Sequence, residues 1–376
     1  MLGFLLFASV LAALLHYTVW ARLLRDTKLP SPWKQVASWT MVFLAATIPV
    51  GIVVQGVAPR WFTTPWMWVA YTWLGFLFFL FVLLVPAEIF RAGYLIARRP
   101  VDEDRRRFLA RAIGGAVGAS ALGLGGGGLF FALRELAVKN VTVHLAKLPA
   151  SMHGFTIVQL TDIHVGPTIG KSFIDDMVDK TNALAPDLIA ITGDLVDGSV
   201  AALSPFVEAL GRLKAKHGVF FVTGNHEYYS GADAWIAHLG KLGIKVLRNE
   251  RVAIDGIDLA GVDDAHAHRY STAHGMDVAK ALEGRDASRL LVLLAHQPKA
   301  IADAARGGVD LQLSGHTHGG QFFPWNLLVK LDQPYITGLH LHEATQIYVS
   351  EGTGYWGPPM RVGTRAEITR IELRRV

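Results

Sequence analysis

Cysteine is absent from the chain. That excludes disulfides, thiolate metal sites and a cysteine nucleophile. A cysteine-free chain fits either side of a membrane, so it does not report the redox compartment. Charge is also scarce, at 18% of 376 residues, and the mean hydropathy is +0.32. The apolar residues are unevenly spread, and that matters more than the mean. A pI near 9.3 raises nucleic acid as a partner. A nucleic-acid module carries its cations on a folded face. Here much of the cationic excess lies in two short arginine-rich segments beside apolar stretches. No nucleic-acid partner is expected, and the cations are read as membrane topology.

Four windows lack charge altogether: Met1–Ala21, Gln35–Pro59, Trp61–Ala87 and Ala112–Leu133. Each reaches the ~20 residues that cross a hydrocarbon core. Four spans are therefore expected near 2–21, 36–56, 65–87 and 112–133. Tyr17, Trp20, Trp33, Trp61, Trp66 and Trp68 stand near their ends, as at a membrane interface. Between the first two windows lie Arg22, Arg25, Lys28 and Lys34 against Asp26. Arg60 stands alone in the second gap. Arg91, Arg98, Arg99, Arg105, Arg106, Arg107 and Arg111 fill the third. Positive loops stay in the cytoplasm. The chain is expected to be a multi-pass protein of the plasma membrane (the inner membrane of a bacterium). Everything after Arg134 is then extracytoplasmic, periplasmic in a bacterium.

The segment Asp104-Arg105-Arg106-Arg107-Phe108-Leu109 precedes the glycine-rich fourth window and resembles a twin-arginine export signal. An ordinary positive-inside cluster before a small-residue helix is the equal alternative. No Ala-x-Ala site follows, so an anchor retained in the membrane is expected. Residues 1–136 are assigned to the transmembrane region and 141–376 to a second domain.

In that second domain apolar runs are short and end in polar clusters. Phe155–Leu160 leads into Asp162 and His164, and Leu188–Thr192 into Asp194 and Asp197. Val219–Thr223 leads into Asn225 and His226. Leu290–Leu294 leads into His296, and Leu311–Leu313 into His316 and His318. Such runs read as buried strands. Helical patterns at Ser172–Leu184, Ser204–Lys216 and Ala232–Leu242 alternate with them, so an α/β domain is expected. Its functional loops would gather at strand ends. Carboxylate, amide and imidazole without sulfur suit Zn, Mn or Fe, and a carboxylate can bridge two ions. Paired ions about 3.5–4 Å apart can activate water and hold a phosphoryl group.

The order Asp162-x-His164, Gly193-Asp194-x-x-Asp197, Gly224-Asn225-His226-Glu227, lone His296 and Gly315-His316-x-His318 resembles the calcineurin-like metallophosphoesterase superfamily. All five blocks stand in order between about residues 155 and 320. Gly319-Gly320-Gln321 and the tail Gly352–Arg361 resemble its bacterial membrane-associated branch. That branch includes phosphodiesterases related to a Bacillus wall-associated enzyme and to lipid A precursor pyrophosphatases. The resemblance implies a four-layer α-β-β-α sandwich. It also implies one metal ion on Asp162, His164, Asp194 and His318, and a second on Asp194, Asn225, His296 and His316. A metal-activated hydroxide would attack phosphorus, with His226 beside the leaving oxygen and Asp197 orienting His226.

The expected substrate is a phosphodiester or phosphomonoester, envelope-bound or lipid-linked, near the bilayer. The alternative keeps the chemistry and takes a sugar-lipid nucleotide pyrophosphate of the UDP-diacylglucosamine type. A non-catalytic metal-binding membrane sensor is the reading from another class. Asp263-Asp264 is open between a supporting role at the site and a turn or helix cap. Tyr355–Arg361 is open between an ordinary loop and a pocket wall ending in a cation. The remaining histidines of the second domain, His266 and His274 among them, are expected to be structural or solvated.

Overall fold

The computed structural model describes residues 2–55, 58–96 and 102–376. It divides into two units, Met1–Leu133 with Gly357–Met360, and Arg134–Trp356 with Arg361–Val376.

Among the described residues the first unit holds four helices: α1 (Leu2–Trp20), α2 (Trp33–Gln55), α3 (Arg60–Ile96) and α4 (Glu103–Leu133). Three of them, not the expected four, are long and apolar enough to cross a membrane: α2, α3 and α4. The shortest, α1, has 19 residues. At 1.5 Å per residue that is about 28 Å, within the range of about 17–25 residues that cross a hydrocarbon core.

The cations expected in loops lie mostly on helix. Arg91 is on α3, and Arg105, Arg106, Arg107 and Arg111 are on α4. Arg22 and Arg25 are on a π-helical turn, Ala21–Arg25, that prolongs α1. Arg98 and Arg99 fall outside the described residues. The reason is length: the 37 residues of α3 make a rod of about 55 Å, so its ends outrun an apolar core. Arg22 and Arg91 both pair with Asp26, at 2.9 and 3.3 Å. Arg22 also donates to Glu88 at 2.7 Å, and Arg111 to the Thr27 carbonyl at 3.0 Å. The cationic ends of α1, α3 and α4 thus meet at one end of this unit.

The second unit begins with β1 (Ala137–Leu145) and β2 (Thr156–Leu160). It continues through α5 (Lys171–Ala183), β3 (Leu188–Ile191), α6 (Val200–Val207), β4 (Val219–Phe221), α7 (Asn225–Ser230), α8 (Ala232–Lys241) and β5 (Lys245–Val246). Then come β6 (Glu250–Ile254), β7 (Ile257–Gly261), α9 (Val278–Ala281), β8 (Leu290–Leu294), α10 (Ile301–Arg306) and β9 (Leu311–Ser314). Last are α11 (Trp325–Val329), β10 (Gly338–His342), β11 (Thr345–Val349) and β12 (Glu367–Arg375). The expected helix at Ser204–Lys216 starts earlier, at Val200, and tightens into a 3-10 turn at Glu208–Arg212.

The strands form two mixed six-stranded sheets, ordered β1-β12-β2-β3-β4-β5 and β10-β11-β9-β8-β7-β6. Side chains alternate faces along each strand, and the apolar residues sort accordingly. Ile157, Leu188 and Phe220 of the first sheet pack with Leu259, Val292 and Leu311 of the second. The other face of the first sheet, with Val158, Leu160, Ile189 and Ile191, takes Ile174 and Met177 of α5 and Trp235 of α8. The other face of the second sheet, with Leu291, Leu293 and Val349, takes Ile301 and Ala304 of α10. The two sheets therefore face each other across one core, and helices cover both outer faces.

β2, β3 and β4 are parallel neighbours, and so are β8 and β9. All five polar clusters thus leave the C-terminal ends of adjacent strands, two strands in one sheet and three in the other.

Candidate metal centre

The five clusters converge. Asp162, His164 and His318 present one ligand atom each within 4.8 Å of one another, and Asp194, His296 and His316 do the same. His164 and Asp194 also group with His226 at that separation, so the sets adjoin. Nε2 of His164 lies 3.1 Å from Nε2 of His318, and Nδ1 of His316 lies 3.2 Å from Nε2 of His296. Oδ2 of Asp194 is 3.1 Å from Nε2 of His296 and 3.9 Å from Nε2 of His164, so it faces both sets. The resemblance adds Asn225 to the second set. Its Oδ1 is buried without a hydrogen-bond partner, while its Nδ2 donates to the Tyr229 hydroxyl at 3.4 Å. A buried amide oxygen is costly to leave unpaired, and a cation supplies what it lacks. The donor set fits two divalent ions.

Backbone conformation carries the same signal. Asp162, His164, Asp194, His316 and His318 all have positive φ, between 50° and 70°. Non-glycine residues reach that region at a cost, and such strain clusters at functional sites. The loops are tied to one another. Asp162 N–H donates to Gly193 O and His164 N–H to Asp194 O, at 3.0 and 3.1 Å. The backbone N–H of His316 donates to the Asp162 carboxylate at 2.9 Å. Glycine is required where backbones crowd the ligands. A Cβ on Gly315 would meet Asp162 Oδ2 and Thr161 Oγ1 at 2.1 Å, and one on Gly224 would meet Asp194 Oδ1 at 2.2 Å.

Electrostatics divide the imidazoles. Burial, then the neighbouring His296, push His316 down to about 3. Burial, His164 and Arg361 hold His318 well below the usual histidine range. Both are neutral at ordinary pH and available as ligands. Burial lowers His296 too, but Asp194 and Asp162 outweigh it and hold it well above its usual value. Burial likewise opposes ionisation of Asp194, and His296 and His226 overcome it. Without a cation His296 is thus protonated beside an ionised Asp194, and metal binding would release that proton. For His226, burial is outweighed by Asp194 and Asp197, which raise it to about 9.

Asp197 lies where the sequence places it, beside His226. It also does more than expected: its Oδ1 accepts from Nδ1 of His226 at 2.6 Å and faces Nδ1 of His164 at 3.1 Å.

Two further residues act through the ligands. Glu227 is fully buried, and its carboxylate accepts the N–H groups of Asp194, Leu195 and Gly224 at 3.0, 2.8 and 2.7 Å. It binds the turn after β3 to the turn after β4. Its place next to His226 marks it, but partners some 30 residues away are not readable locally. Of the two readings left open for Tyr355–Arg361, Arg361 fits the loop rather than a pocket cation. It is buried, and its guanidinium donates to the carbonyls of Gly352 and Gly354. That loop in turn donates from Thr353 and Gly354 to the carbonyls of Thr161 and Asp162 at 2.8 and 3.0 Å.

Asp263 pairs bidentately with Arg248 at 2.8 and 3.0 Å. Asp264 accepts the His266 N–H of a turn and the amide of Gln297, next to His296. Both readings of that pair are thus partly realised. His274 is buried against Tyr228 and Asp233, a structural place. His266 meets Gln297 and Lys299.

The sequence profile of calcineurin-like phosphoesterases matches residues 155–320. A Bos taurus protein named "Transmembrane protein with metallophosphoesterase domain" is 40% identical over 364 residues, spanning 91% of this chain and 80% of that protein. An "Uncharacterized metallophosphoesterase" of Helicobacter pylori is 39% identical over 294 residues, 78% of each chain. Among solved structures, a 5'-nucleotidase precursor from Thermus thermophilus aligns with a TM-score of 0.37 and 15% identity. The match covers 58% of this chain and about half, 54%, of that one.

Proposed function

The chain belongs to the calcineurin-like metallophosphoesterase family, and from that premise we propose that it is a membrane-anchored, dinuclear phosphoesterase. Its substrate in this reading is a phosphodiester or phosphomonoester on an envelope or lipid-linked molecule. The observation that carries the proposal is the grouping of Asp162, His164 and His318 beside that of Asp194, His296 and His316, with the Asp194 carboxylate facing both; the buried, partnerless Oδ1 of Asn225 supports it. Two divalent ions there, Mn, Fe or Zn, would supply an acidified water and neutralise charge at phosphorus. The protein's own groups do the rest. Glu227 holds the Asp194 backbone by accepting its N–H, and the His226 N–H, which donates to Asp194 Oδ1 at 2.9 Å, holds the carboxylate. His226, protonated at neutral pH, donates a proton to the leaving oxygen. Asp197 fixes which ring nitrogen of His226 faces inward.

Three helices suited to crossing a membrane and a relative named as a transmembrane protein support membrane association. The clustered arginines at one end of the helical unit support a cytoplasmic face there and an extracytoplasmic second unit. Kinship with the Bacillus wall-associated branch is part of the same proposal.

The test is a metal-replete assay of the full chain in nanodiscs. The panel is bis-p-nitrophenyl phosphate, p-nitrophenyl phosphate, a phospholipid and a nucleotide-diphospho-sugar. Turnover of an ester is expected. Turnover of the nucleotide-diphospho-sugar alone would replace the substrate class, and no turnover of any would remove the enzymatic reading. A reporter fused after Arg134 tests the orientation.

A further inference from the structure

Immediately after the last two candidate ligands the chain leaves the site as the segment Phe322–Leu331, and this segment is apolar on the outside. Phe323 is 60% exposed, Leu327 52%, Leu328 53% and Leu331 83%, with Trp325 also exposed. α11, at its centre, contains no buried residue. Its only charge is Lys330. A short polar turn would connect the same points more cheaply in water, because an exposed apolar cluster gains nothing from solvent.

The segment is nonetheless held firmly at both feet. Phe322 bridges to Val362, and Phe323 N–H donates to the Val362 carbonyl at 3.2 Å. Gln333 is buried at the far foot, accepting the Lys299 N–H at 3.1 Å. Asn326 packs against Gly320, where a Cβ would meet it at 2.4 Å. A fixed scaffold thus presents aromatic and leucine side chains outward with one lysine beside them.

That composition is the signature of an interfacial element: aromatic and aliphatic residues seat in the headgroup–acyl boundary while a cation remains at the phosphates. The same chain carries three helices suited to crossing a bilayer. A lipid surface is therefore its companion at high effective concentration. We propose that Phe323, Trp325, Leu327, Leu328 and Leu331 dock into the surface of the bilayer that anchors the chain. This places the turn bearing His316 and His318 at the lipid boundary, where a lipid-borne phosphate would meet it. The docking itself does not depend on the hydrolase reading.

The absence of cysteine makes the test direct, since one introduced thiol is a unique label. Full-length chain carrying Leu328→Cys or Leu331→Cys, labelled with an environment-sensitive fluorophore, is reconstituted in vesicles containing doxyl-labelled lipids. Lys214→Cys and Ala287→Cys, both at exposed positions, serve as controls. Lipid quenching at 328 and 331 is expected to be at least about two-fold stronger than at the controls. Equal quenching at all four sites overturns the proposal. So does efficient bis-maleimide cross-linking between copies at 328 without lipid quenching, which would make this face a contact between copies of the chain. A second readout is activity. Leu327→Ser with Leu328→Ser should lower turnover of a vesicle-borne ester and spare a soluble chromogenic one. The quenching result stands whether or not any ester is turned over.

Discussion

Nδ1 of His226 lies 2.6 Å from Oδ1 of Asp197, an oxygen that also faces His164. The charge on Asp197 helps to raise His226 to about 9, against the pull of burial. A proton donor with a raised pKa is active below that value and fails as pH climbs through it. Metal ions on Asp194 withdraw part of the support, so the alkaline limb of kcat should fall at or below pH 9. Asp197→Asn removes the anion that bonds to His226 directly and should move that limb to lower pH, with turnover reduced about 10–100-fold. A pH–rate profile of both proteins decides it; an unmoved limb separates Asp197 from His226.

Asp194 faces both ligand sets, so one substitution should weaken two sites. Asp194→Asn is expected to lose at least about 100-fold in turnover, beyond the effect of an outer-shell partner. It should also lower bound metal from two equivalents, read by elemental analysis of the purified protein. Wild-type stoichiometry in that variant would remove Asp194 from its bridging place.

Chelation should destabilise the second unit. Ligands that bind only the folded state stabilise it by about 2.7 kcal/mol at a hundred times their Kd. Prolonged EDTA treatment is therefore expected to lower the melting temperature, and Mn, Fe or Zn to restore it. A melting curve indifferent to both would mean that the buried imidazoles are structural.

Arg361 holds a loop rather than a substrate. Arg361→Met keeps much of the volume but leaves the Gly352 and Gly354 carbonyls without their donor. That should cost about 1–3 kcal/mol, or several degrees of melting temperature. Metal affinity should fall on the Asp162 side because the loop braces the Asp162 backbone. Unchanged stability and metal binding would refute the brace.

Gly315→Ala tests crowding directly. The added methyl would overlap both Asp162 Oδ2 and Thr161 Oγ1. Overpacking of this kind costs typically about 1–3 kcal/mol, and here it would turn Asp162 out of the centre. Metal content and turnover should fall together. A fully active Gly315→Ala enzyme would show that the loop relaxes freely.

Much of the centre was legible because its parts are local. Each ligand follows a strand-like run within a few residues, as Asp162 follows Phe155–Leu160, and the β2, β3, β4, β8 and β9 strands form where those runs predict. What escaped depends on distance. Glu227 meets the Asp194 and Leu195 amides across 33 and 32 residues. For Arg361 the sequence left a loop and a pocket wall equally open, because nothing nearby in sequence encloses it. In the helical unit an apolar window marks the hydrocarbon core but not the helix. α3 therefore runs on through Arg91, a residue assigned to a loop.

Strand β12 lies between β1 and β2, parallel to one and antiparallel to the other. The first sheet therefore cannot close until residue 375 has been synthesised, although β1 and β2 leave the ribosome some two hundred residues sooner. The helical unit emerges first and can enter a bilayer while its companion is still an open chain. Maturation of the centre is in this sense a late event, timed by the final strand and not by the loops that bear the ligands.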